Sequence, residues 1–142
     1  MFYRSRKIIP IYDSMWLDIV ISDDTEKLNS EFEAEPGEWF ACVFRNNFQL
    51  EGSELWRKSI VIVLNPNHSG GSKITPAIIV HESVHIKNKI FNQIGHKNST
   101  NNDEPEAYLV EFIFNIVSDF YEKIMKKEKK LISKNKKDGK SE

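Results

Sequence analysis

The segment "TPAIIVHESVHIKNKIFNQIG", Thr75 to Gly95, carries its own start and stop signals. Threonine is a good N-cap, because its hydroxyl accepts a backbone N–H that the first turn leaves free. Pro76 suits the first helical position, where no N–H is needed. Gly95 suits the left-handed residue that ends a helix. The spacing therefore predicts a helix from 76 to about 93. Ile78, Ile79, Val80, Val84 and Ile86 make it strongly apolar. Such a helix has to pack against other elements, and the rest of the chain must supply them.

Strands come first. "KIIPIY" and "WLDIVIS" read as two short strands, although Asp18 breaks the alternation of the second. "DDTEKLNSEFEAE" offers Asp23, Asp24 and Thr25 as caps, with Leu28 and Phe32 four apart on one helical face. "PGE" ends that segment. "WFACVFRNNFQL" reads as a strand, with a turn around Glu51 and Gly52 after it. "SIVIVLN" is a stronger strand, with five consecutive apolar residues from Ile60 to Leu64. "NPNHSGGSK" is a loop by composition. After the Thr75 helix, "HKNSTNND" is a polar loop. A last helix is predicted from near Asp103 to about Lys130, with Val110, Ile113, Val117, Phe120 and Ile124 as its apolar stripe. This order predicts an α+β fold: a small mixed or antiparallel sheet packed on the Thr75 helix and a long C-terminal helix.

The chain's 142 residues suit one domain, placed at 1–125, with a Lys-rich helix end or tail at 126–142. No run approaches the roughly 18 apolar residues of a membrane helix. The N-terminus lacks the apolar core and cleavage site of a secretory signal. Cys42 is the only cysteine, which excludes an internal disulfide and points to a reducing, cytoplasmic setting. In "FACVF" it reads as a small core residue. The net charge of −1 is unevenly spread. From Lys126 to Glu142, eight lysines face three acids, a surplus of +5 that could contact nucleic acid or simply stay solvated.

"HESVH" gives the Thr75 helix its chemistry. His81 and His85 are four apart, so their rings stand one turn above the other. Both imidazoles can reach one tetrahedral ion at about 2.0–2.1 Å. Glu82 follows His81 and points beside them, placed to act on a water at that ion. This is the His-Glu-x-x-His arrangement of zinc hydrolases, with the glutamate as general base. The surrounding isoleucines and valines are expected to wall the site from water. A third ligand is required. His68 and His96 lie in flanking loops. Eighteen residues separate His85 from Glu104, which opens the next helix and can fold back over the histidines. Glu106, in line with Val110 and Ile113, is the rival.

"HESVH", that gap and "DEPEAYLVEFI" together resemble the gluzincin zinc peptidases, and most of all the small phage and prophage proteins with a minimal gluzincin domain. Asp103, Glu104, Ala107, Tyr108 and Leu109 match that family's Asp-Glu-x-x-Ala-Tyr-Leu segment. The resemblance covers Ser59 to about Ile124. It implies a minimal zincin-like fold, with Zn²⁺ held by His81, His85 and Glu104, and a peptide or protein substrate. Larger members carry Asp four residues after the glutamate ligand; Tyr108 stands there instead and is a candidate donor to the oxyanion. "IVIVLN" is a candidate strand for pairing with an extended substrate. The alternative is a non-catalytic, zinc-stabilised binding or regulatory protein of phage origin. Trp16, Trp39 and Trp56 are expected to serve core and strand packing.

Overall fold

The computed structural model describes residues 1–9, 15–33, 39–70 and 73–138, and the side chains through 136. Four strands and three helices follow in the order β1 (Phe2–Ile8), β2 (Met15–Ser22), α1 (Thr25–Glu31), β3 (Ala41–Gln49), β4 (Trp56–Leu64), α2 (Pro76–Ile94) and α3 (Glu104–Asp138). The fold is α+β. One mixed sheet has the strand order β1-β2-β4-β3. β2 and β4 pair in parallel at its centre, and β1 and β3 add antiparallel on the outside.

The centre explains the apolar runs. Met15, Leu17, Ile19 and Ile21 on β2 and Ile60, Ile62 and Leu64 on β4 pack with Ile79, Ile86 and Ile90 of α2 and with Leu109, Ile113 and Val117 of α3. The opposite sheet face buries Val20, Val61 and Val63 beneath Leu28 and Phe32, at and just beyond α1. A strand covered on both faces need not alternate, which is why "IVIVL" reads as one run. Each such side chain contributes about 1.5–3 kcal/mol on burial.

Asp18 sits on the α1 side of the sheet, where a one-residue alternation would place an apolar group. It is fully buried. Arg4 and Arg6, from β1, each donate two hydrogen bonds to its carboxylate, and the Ser59 hydroxyl donates another at 3.0 Å. The two guanidinium groups in turn lie over the Phe32 and Phe48 rings. Burial pushes the Asp18 pKa up, but the hydrogen bonds and charges of Arg6 and Arg4 outweigh it and hold the carboxyl below the ordinary value.

The structure corrects several expectations. The first strand is Phe2–Ile8 rather than the "KIIPIY" stretch, because Arg4 and Arg6 are needed opposite Asp18; Pro10–Ser14 lie outside the described residues. The "PGE" stop also lies outside them; α1 ends at its C-cap, Phe32. β4 is interior and bonded on both sides, so it has no edge for an added strand; β3 occupies the edge instead. Trp16 packs edge-on against Phe48. Trp39 and Trp56 are 61% and 64% exposed, since they sit at or just before strand starts, beyond the helical layer. α3 runs to Asp138, past the end expected near Lys130.

The caps match the reading. The Asp24 side chain accepts from Lys27 N–H, and the Thr75 hydroxyl from Ile78 N–H. Gly95 takes φ 72°, and the His96 N–H donates back to Phe91 O at 2.9 Å.

Gly95→Ala should cost about 1 kcal/mol in urea unfolding, because a Cβ disfavours the left-handed conformation. Asp18→Asn should cost about 3 kcal/mol, by leaving two arginines without their carboxylate. Asp18 has a lower pKa folded than unfolded, so its contribution is complete above about pH 4 and is lost as pH falls through its folded value. The Asp18→Asn variant should therefore show a flatter acid limb in its stability curve; an unchanged limb would assign acid sensitivity elsewhere.

Candidate metal centre

α2 turns Ile79, Ser83, Ile86 and Ile90 into the core and presents a polar facet on its other side. His81 and His85 lie on that facet and are exposed. The expected apolar wall does not enclose them: Ile79 and Ile86 point into the core, whereas Val80 and Val84 are 43% and 38% exposed. With about 100° of turn per residue, the apolar residues beside the histidines in sequence lie mostly on other facets.

The two rings nevertheless converge. His81 Nε2 and His85 Nε2 are 3.0 Å apart, with the rings close to perpendicular. Two imidazole nitrogens on one tetrahedral zinc stand about 3.3 Å apart. The pair thus has the spacing of two ligands to a single ion. Without an ion, the same contact is a hydrogen bond in which one ring donates and the other accepts.

Glu82 is largely buried, at 8% exposure. Among the described residues its carboxylate makes no hydrogen bond or ion pair, and its oxygens are not sealed from solvent. Cys42, on β3, registers its charge: burial, with the Glu82 carboxylate adding to it, pushes the thiol up to about 11. Cys42 is therefore a protonated, half-buried packing residue, as the sequence suggested.

The third donor is not assembled. Among the described residues, no three His, Cys, Asp or Glu side chains group so as to hold a metal ion. α3 folds back along α2, and its first turns meet the facet of Val80, Val84 and Lys87 through Asp103, Glu106 and Ala107. Glu106 is the inward residue. Its Oε1 accepts from Ser99 N–H at 3.1 Å and faces His96 Nε2 at 3.6 Å, while its Oε2 has no partner. Burial raises its pKa, but the Ser99 N–H, its own N–H and His96 together bring it below the ordinary value. Glu104 is two residues earlier, about 200° around the helix, and so turns outward. It is exposed at the first position of α3. Tyr108 is 66% exposed.

The flanking histidines are engaged elsewhere. The His96 ring packs at a tilt against Phe91, with centroids 4.2 Å apart, and His68 lies against Phe40 while its Nδ1 accepts from Gly70 N–H. Sequence reasoning missed Arg45. From β3 it donates to Asn92 Oδ1 at 2.9 Å and borders a cleft beside His85. A strand position gives no hint of which helix facet it will meet.

The residues present thus fit a zinc ion in part: two histidines at ligand spacing and a neighbouring carboxylate, with the third ligand position unfilled. No protein-family model, curated protein or solved structure matches this chain.

Proposed function

We propose that the chain is a zinc-dependent metallopeptidase of the gluzincin type, working in the cytoplasm on a peptide or protein substrate. The observation that carries the reading is the convergence of His81 and His85 at 3.0 Å on the helix that also carries Glu82, a carboxylate with no ion pair among the described residues. Among the described residues the Glu82 carboxylate takes no hydrogen bond or ion pair, which leaves it free to act on a water beside the pair. An ion on the histidine pair would hold that water and give the carboxylate its use.

When bound, Zn²⁺ supplies Lewis acidity for water and for a peptide carbonyl. His81 and His85 would hold it through the converging Nε2 atoms, which requires each ring's proton on Nδ1. Glu104 is the third donor that the resemblance implies; it is exposed at the start of α3 and would have to turn towards the histidines to complete the set. The Glu82 carboxylate takes a proton from the attacking water and passes it to the leaving amine. Tyr108, one turn beyond Glu104, is assigned to donate its hydroxyl proton towards the developing oxyanion. β3, the edge strand alongside α2, is the strand on which an extended substrate would lie.

A second reading is favoured by the incomplete donor set: a zinc-stabilised, non-catalytic binding protein. In that reading Lys123, Lys126, Lys130 and Lys134, which lie along one side of the far end of α3, would contact nucleic acid. No helix among the described residues is long and apolar enough to cross a membrane.

Cleavage of an unbiased peptide mixture by the zinc-loaded protein, followed by mass spectrometry, separates the two. Glu82→Gln should keep zinc and lose cleavage by at least about 100-fold. Unchanged cleavage in that variant would remove Glu82 from the reaction. Absence of cleavage in the wild type, with duplex DNA binding that disappears on deletion of 126–142, would support the second reading.

A further inference from the structure

Beyond His85 the polar facet of α2 faces β3 across a shallow cleft of about 270 Å³. Its lining is Arg45, His85, Asn88, Lys89 and Asn92. Two of the five are permanent cations at neutral pH and two are carboxamides; none is an acid. Among the described residues no carboxylate forms an ion pair with Arg45 or Lys89. Arg45 is nonetheless held: it donates one hydrogen bond to Asn92 Oδ1 at 2.9 Å. A guanidinium has five N–H donors in a fixed plane, so most remain for a ligand. Cations brought together without acids raise the local positive potential, and an anchored arginine gives that potential a direction.

We infer that this cleft is a carboxylate-binding subsite, and that the chain selects peptides bearing a carboxylate close to the bond presented to His81 and His85. The ligand carboxylate would take the free edge of the Arg45 guanidinium, with Lys89 supplying charge and Asn88 a carboxamide N–H. The spacing gives the position. Lys89 is one turn beyond His85, about 6 Å along the axis. An extended chain advances about 3.3 Å per residue. The favoured carboxylate therefore belongs about two residues from the reacting carbonyl. A Glu or Asp side chain and a free chain terminus both supply that group. The substrate assignment rests on the peptidase reading; the subsite itself rests only on the cleft.

Binding tests it separately from catalysis. The probes are short, fluorescently labelled alanine-based peptides of three kinds: one glutamate with an amidated terminus, the glutamine equivalent, and that glutamine peptide with a free terminal carboxylate. Affinity is read by anisotropy with the full chain at low ionic strength, and cleavage of each peptide is followed in parallel. The expected result is about fivefold tighter binding of at least one carboxylate peptide than of the amidated glutamine peptide. Arg45→Gln together with Lys89→Gln should abolish that preference while leaving the weaker, neutral binding in place. Preference for the amidated glutamate peptide identifies a side-chain subsite; preference for the free terminus identifies a terminal one. Equal affinity for all three, absence of binding to any, or a preference that survives the double substitution would overturn the subsite. Preference without cleavage would keep the subsite and count against the peptidase. Cleavage without preference would do the reverse.

Discussion

Parallel pairing of β2 with β4 is the contact on which the rest of the molecule depends. From Met15 opposite Lys58 to Ile21 opposite Leu64, it sets two apolar strands side by side at the sheet centre. Parallel neighbours cannot be joined by a tight turn, so the chain between them must make an excursion. α1 and β3 occupy that excursion. α1 covers one sheet face and β3 returns as the edge strand. The other face is left for α2 and α3, which bury Ile86, Ile90 and Ile113 completely against it. α2 is thereby held beside β3, and the polar facet of α2 is directed at the sheet edge.

That arrangement concentrates the chemistry in one strip. α2 packs along β3, and Asn92 of α2 accepts a hydrogen bond from Arg45 of β3. The histidine pair, with Glu82 between its members in sequence, comes first along α2, and the Arg45–Lys89 cleft follows. Among the described residues, neither the Glu82 carboxylate nor the Arg45 and Lys89 cations form an ion pair. Opposite needs at the two ends suit a ligand that brings a cation to the first and an anion to the second. A metal ion and an acidic peptide are such a pair.

Much of this was legible in the sequence. Thr75, Pro76 and Gly95 bounded α2 correctly because caps are local. The run from Ile60 to Leu64 announced a strand buried on both faces. β1 was not legible: "FYRSRKI" has little apolar alternation, and it is a strand because Arg4 and Arg6 meet an aspartate that is distant in sequence. The last turns of α3 were not legible as ordered helix either, although Lys, Glu and Leu are good helix formers and no Gly or Pro intervenes before Gly139. The histidine pair was readable because four residues make one turn. The third ligand was not. A gap length does not fix how the next helix is rotated, and two residues decide whether Glu104 or Glu106 faces inward.

The central claim is that His81 and His85 converge because they hold a metal ion. Its most direct test is elemental analysis of protein purified without chelators and without a histidine tag, compared with His81→Ala. The account predicts about one zinc per chain, lost in the variant without loss of the fold by circular dichroism. Folded wild-type protein that retains no metal, and takes up none when zinc is supplied, would contradict it and leave the pair as a surface hydrogen bond.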